Sequence, residues 1–218
     1  MEWRLAPGTG FCEVGGELLF LDLRRDRYLA LRGKERMTFD RLRFGETGDE
    51  GAMTQLAGSG LIVAGNGGRA IRATEIIVPD DDLSASAARS GSGWGTALAA
   101  ARSLIWARRA MRPARLARTA EYLAAAKADR AGAGKQSEAE ELAAGFAASR
   151  WLIPIAPRCL VDALALDRIL LRRGVAATLV FGVRLNPFNA HCWLQTERTI
   201  LTGTAAEARN FAPILTVG

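Results

Sequence analysis

The chain has 218 residues, enough for one medium domain or two small ones, and its 49% apolar and 24% charged residues are the balance of an ordinary globular protein. No run of 18 or more apolar residues occurs, and Met1-Glu2-Trp3-Arg4-Leu5 lacks the basic start and apolar core of a secretory signal, so no membrane partner and a cytoplasmic location are expected. Cys12, Cys159 and Cys192 are too few and too irregularly spaced for a disulfide framework or a zinc site, so no metal is expected.

In chain order, Phe11 to Val14, Glu17 to Leu23 and Arg27 to Leu31 read as three strands, separated by turns at Gly15-Gly16 and Arg24-Arg25-Asp26. Helical pieces follow at Gly33 to Phe44 and near Asp49 to Ala57. Leu61-Ile62-Val63 and Ala70-Ile71 flank Gly65-Asn66-Gly67-Gly68, which predicts a hairpin wing. Together these elements predict a winged-helix-like module with a three-stranded sheet over residues 1–78. Val78-Pro79-Asp80-Asp81-Asp82 is acidic and Ser84 to Gly95 is rich in Ser, Gly and Ala, a composition with little apolar surface to bury. Residues 79–95 are therefore expected to be a linker.

A second domain is expected over residues 96–218. Residues 96–130 read as two helices divided by Pro113, with apolar stripes at Leu98, Ala101 and Ile105 and at Leu116, Ala120 and Leu123. The net charge of +6 is concentrated here: residues 101–130 hold eight arginines and lysines against two acids. Such a stretch binds phosphates, acidic peptides or nucleic acid, or forms solvated helix faces. Ser137-Glu138-Ala139-Glu140 has the spacing of a capping box, and Leu142 and Phe146 supply the buried face of the helix that follows.

The stretch from Cys159 to Trp193 carries the chemistry. Pro157 places Cys159 near the start of a helix, where free N–H groups and the helix dipole favour a thiolate. Leu160, Ala163, Leu164, Leu166, Leu170 and Leu171 make that helix apolar nearly all round, and Gly174 stops it. Two readings of Cys159 stand at this point: an activated nucleophile, and a small buried hydrophobe. Ala176 to Val183 and Ala190 to Gln195 read as strands around a loop with Pro187 and Phe188, and Thr199 to Thr202 as a third. Alternation puts His191, Trp193 and Gln195 on one face and Cys192 and Leu194 on the other. His191 is the only histidine in the chain.

A cysteine helix followed by a histidine strand is the order used by papain-like and transglutaminase-like enzymes, so an α+β fold with a papain/transglutaminase-like C-terminal domain is expected. More closely, the chain resembles the B proteins of lasso-peptide biosynthesis in their fused form. The resemblance is carried by Cys159-Leu160, Ala165-Leu166, Leu170 to Gly174, Gly182-Val183, Pro187-Phe188, Ala190-His191-Cys192-Trp193 and the Cys–His interval of 32 residues, over roughly residues 140–218. Phe20 to Leu23 and Arg27 to Leu31 are similar, more loosely, to the peptide-recognition domain of that family.

The resemblance implies a cysteine leader peptidase with Cys159 as nucleophile and His191 as base. It implies a leader peptide bound as an added strand along Tyr28, Leu29, Ala30 and Leu31 and a helix near residues 50–57, with Trp193 at the substrate site. The implied partners are the precursor leader and a lasso cyclase; no cofactor is implied for the chain itself, and ATP enters through the cyclase. The family's third catalytic residue, an aspartate about a dozen residues past the histidine, has no counterpart, because Gly203 stands there. The nearest acids in sequence are Glu197 and Glu207, while Asp162 and Asp167 lie on the cysteine helix. An acyltransferase on the same scaffold, and a non-catalytic adaptor for a leader or for nucleic acid, are the alternatives. Against nucleic acid stand Asp22, Asp26, Glu46, Asp49 and Glu50, which dilute the charge of the first 75 residues.

Overall fold

Turn chemistry sets the first sheet. Strands β2 (Thr9–Val14) and β3 (Glu17–Asp22) are joined by Gly15-Gly16, both at positive φ (57° and 78°), the conformation a two-residue hairpin needs. Strand β4 (Arg27–Leu31) follows a turn held by Asp22, whose carboxylate accepts from the Arg24 and Arg25 N–H groups and from the Arg25 guanidinium. In this computed structural model, residues 2–46, 49–65, 71–83, 93–129 and 136–218 are described.

Helices α1 (Gly33–Arg43) and α2 (Glu50–Ser59) cover one face of the β2-β3-β4 sheet. Asp49 caps α2 by accepting from the Ala52 N–H at 2.8 Å, and Gly60 at φ 76° ends it. Phe11, Phe20 and Phe39 meet at ring separations of 4.9–5.4 Å in this core. The expected wing takes a different form. Strand β5 (Ile62–Gly65) pairs antiparallel with β1 (Glu2–Leu5), Ile71 lies outside any strand, and the turn at residues 66–70 lies outside the described residues.

Strands β2 and β3 are covered on both faces. Phe11, Leu18 and Phe20 face the core beneath α1 and α2, whereas Cys12, Leu19, Leu21 and Leu23 belong to a core shared with the C-terminal half. This explains why β3 reads as a continuous apolar run rather than an alternating one.

The C-terminal half contains α3 (Trp94–Ala110), α4 (Pro113–Ala128), α5 (Gln136–Ser149), a 3₁₀ turn (Arg150–Leu152) and α6 (Cys159–Arg172). Its sheet has the order β10-β7-β8-β9-β6, with β6 (Asp81–Asp82), β7 (Thr178–Arg184), β8 (Asn189–Gln195), β9 (Thr199–Ile200) and β10 (Ala212–Val217). Only β6 and β9 pair in parallel among the described strands. Helix α6 lies between the other helices and one sheet face, packed on Phe181, Cys192 and Leu194. The opposite face is covered by the short helix α7 (Ala205–Ala208), Phe211 and the strap carrying Ile76 and Val78.

Several expectations need correction. The linker assigned to residues 79–95 is not one throughout. Asp81 and Asp82 form the edge strand β6, and Leu83 is buried, so the chain is committed to the C-terminal sheet before residue 84. Residues 84–92 lie outside the described residues, and α3 begins at Trp94.

The buried stripe of α3 is Ala100, Ser103, Leu104, Ala107 and Ala110; Leu98 and Ile105 remain 62% and 45% exposed. Small residues let α3 approach α6 closely, and that outweighs the larger apolar side chains on its outer face. Ser137 does not cap α5, which is already helical at Gln136; Glu140 instead accepts from Gln136 and from the Thr199 hydroxyl. Pro113 sits in the first turn of α4, and Leu116, Ala120 and Leu123 are buried as expected.

Candidate active site at the head of helix α6

Arg158 is extended (φ −145°) and Cys159 is the first helical residue of α6. Its side chain is exposed, which removes the buried-hydrophobe reading, whereas Cys12 and Cys192 are buried and all three thiols are free. Burial pushes the Cys12 thiol up to about 11 and raises that of Cys192 as well, which disfavours the thiolate at both. Arg150 ties the approach to α6 in place: its guanidinium donates to the Ile155 carbonyl at 2.9 Å and pairs with Asp162, in the first turn, at 3.1 Å. Burial raises the Asp162 carboxyl, and Arg150 opposes that.

His191 lies on β8 opposite Gly182 of β7. Its imidazole is held between Trp193, stacked at 5.8 Å, and Phe211, at 5.1 Å. Gly182 makes this possible, because a Cβ there would lie 2.7 Å from the Trp193 ring and 2.8 Å from Phe211. Trp193 is fully buried; its Nε1–H donates to Gln195 Oε1 and Gln195 Nε2–H donates to the Ile77 carbonyl, both at 2.8 Å. The expectation that Trp193 binds substrate is therefore corrected. An indole with no exposed surface and a satisfied N–H is the floor beneath His191.

The face assignment of β8 holds. His191, Trp193 and Gln195 lie on the α7 side, and Cys192 and Leu194 lie beneath α6. Among the described residues no hydrogen bond joins the Cys159 thiol to the His191 ring. Burial, then the charges of Cys192, Asp26 and Cys159, pushes the Tyr28 phenol up to about 12. The Tyr28 ring meets Phe188 edge-on at 5.4 Å, so β4 stands beside the β7–β8 loop. Along β4, Leu29 and Leu31 are half-buried in the N-terminal core with Met53 of α2, and Ala30 is exposed.

Burial lowers the His191 pKa and the nearby Glu207 carboxylate raises it. His191 Nδ1 is 3.9 Å from Glu207 Oε1, and Nε2 is buried without a hydrogen-bond partner among the described residues. Gly203 adopts φ 78°, and a Cβ built on it would lie 3.6 Å from His191 Nε2. Residue 203 thus faces the ring, where a side chain would meet the nitrogen. Phe211 and the Ile76–Val78 strap carry no local sequence signal, because both reach the site through contacts distant along the chain. Among the described residues no group of three His, Cys, Asp or Glu side chains is placed to hold a metal.

The fold and site define an α+β protein in which a buried helix opens on an exposed cysteine and packs against a strand bearing a histidine. The transglutaminase-like superfamily matches residues 94–216, and the chain belongs to that superfamily. No curated protein and no solved structure matches the chain.

Proposed function

We propose that this chain is a cysteine peptidase that binds the leader of a lasso-peptide precursor and hydrolyses the leader–core bond before a partner cyclase closes the macrolactam. The observation that carries this reading is Cys159, an exposed thiol on the first residue of an otherwise buried helix in a transglutaminase-like domain. His191 accepts the thiol proton, the thiolate attacks the scissile carbonyl, and the Cys159 backbone N–H in the unbonded first turn donates to the oxyanion. The leaving amine takes the proton from His191, and water then releases the acyl group from sulfur.

Strand β4 supports the recognition half of the proposal. Among the described strands it pairs only with β3, so its outer edge is free to accept a peptide strand. ATP is spent by the cyclase.

A non-catalytic leader-binding adaptor is the second reading, favoured by Gly203 and by the missing bond between Cys159 and His191. Mass spectrometry of a precursor encoded beside this protein separates the two. Incubation with the wild type, Cys159→Ala and His191→Ala, with and without cyclase and ATP, is expected to give one leader–core cut that both substitutions abolish. Binding without cleavage under every condition would leave the adaptor.

A further inference from the structure

We infer that Glu207 is the carboxylate partner of His191, a positioning residue that stands beside the space left open by the absent side chain at Gly203. The inference rests on the cysteine-peptidase reading above. Two distances carry it. The point where a Cβ of residue 203 would stand is 3.6 Å from His191 Nε2 and equally 3.6 Å from Glu207 Oε2. The other oxygen of the same carboxylate is 3.9 Å from Nδ1. Glu207 therefore borders both the ring, at Nδ1, and the space that a side chain at 203 would enter on the Nε2 side.

An imidazole that takes a thiol proton needs a neighbour to fix its tautomer and to stabilise the imidazolium. Here Nε2 is buried and unpartnered among the described residues. The separation to Glu207 is longer than a hydrogen bond, so at rest the carboxylate acts by charge. Its side chain is 53% exposed and free to swing closer when substrate covers the site. In the reaction the proton passes from Cys159 Sγ to the ring, and Glu207 stays ionised beside the imidazolium.

Helix α7 is arranged to present this group. Thr204 caps it by accepting from the Glu207 N–H at 3.1 Å, and Asp82 fixes it by accepting from the Ala205 N–H at 2.8 Å. Thr204-Ala205-Ala206-Glu207 has capping-box spacing, in which the glutamate turns back to the N-cap N–H. Among the described residues that bond is not made, and the carboxylate faces His191 instead. The other charged groups near this wall are accounted for. Asp80 pairs with Arg209 at 2.6 Å, Asp82 holds α7, Arg184 lies over Phe211 at 5.3 Å, and Cys159 heads α6.

His191 is the only histidine, so its imidazole resonances in the full-length protein are identified without assignment. NMR titration of the wild type, Glu207→Gln and the double variant Gly203→Asp/Glu207→Gln tests the pairing. Gln keeps the length and capping capacity of Glu, and aspartate tolerates the left-handed conformation at 203 better than most residues. The His191 pKa is expected to fall in E207Q and to recover in the double variant. In precursor cleavage, E207Q should lower kcat about 10- to 100-fold with little change in KM, and the double variant should regain most of the loss.

An unchanged His191 titration in E207Q, or an unchanged cleavage rate and pH profile, overturns the inference. Should the titration shift as expected while even the wild type leaves the precursor intact, the pairing stands and the peptidase reading falls.

Discussion

Asp167 is a carboxylate placed where charge is costly. It lies on α6 below Cys159, fully buried, 2.9 Å from the buried ammonium of Lys127 on α4. Lys127 also donates to the Val217 carbonyl at 2.8 Å, so the pair clamps the cysteine helix to α4 and to the end of β10. Desolvation is the larger effect on both partners: it pushes Asp167 up to about 6 and lowers Lys127, while their mutual attraction opposes both shifts. A carboxyl whose folded pKa is raised binds a proton more readily folded than unfolded. Its contribution to stability is therefore fully present below the unfolded value and is lost as pH rises through about 6. Asp167→Asn removes that titration. Melting curves from about pH 4.5 to 7.5 should show the wild type losing ground to D167N as pH rises. Asp167→Ala, which strands the ammonium, should cost about 3–5 kcal/mol in denaturant unfolding at neutral pH.

At the scale of elements, the site depends on how closely β7 and β8 approach. Gly182→Ala would drive a methyl group into the Trp193 ring and Phe211, the two walls that hold His191. The expected cost is about 1–3 kcal/mol of stability, with a larger proportional loss of precursor cleavage, because the histidine moves with its walls. Leader binding to β4, followed by fluorescence anisotropy, should not change. Elements with local signals were legible in the sequence: the Gly15-Gly16 hairpin, Pro113 opening α4, Gly174 closing α6, and the alternation that places His191 and Cys192 on opposite faces. The illegible ones depend on distant partners. Strand β6 is two residues of aspartate that pair with β9 far along the chain, and β1 and β10 are edge strands whose partners no local pattern reveals. The α3 stripe was misplaced because an alanine-rich helix offers several faces of similar hydrophobicity, and only packing against α6 chooses one.

The whole molecule departs most from the picture of two tethered domains. A tether would raise the local concentration of one half around the other and leave β4 free to wander relative to Cys159. Instead the faces of β2 and β3 that carry Cys12, Leu19 and Leu21 share one core with α3, α6 and β10. Arg24 pairs with Glu121 of α4 at 2.7 Å, and Thr74 donates its hydroxyl to the Ile214 carbonyl at 2.8 Å. The β2-β3-β4 sheet and the cysteine helix therefore belong to one packed body, so a leader bound on β4 as proposed would meet Cys159 at a fixed distance. Gly10 is a point of close approach on the seam: a Cβ there would run into the Ile214 carbonyl and stand 3.0 Å from Leu215 Cβ. Gly10→Val should consequently destabilise both halves together, by about 1–3 kcal/mol. In scanning calorimetry the wild type is expected to unfold in a single transition whose calorimetric and van't Hoff enthalpies agree, and G10V in one transition at lower temperature. Two transitions, of which G10V moves only one, would mean that the halves fold independently and that their contact is a docking surface rather than a shared core.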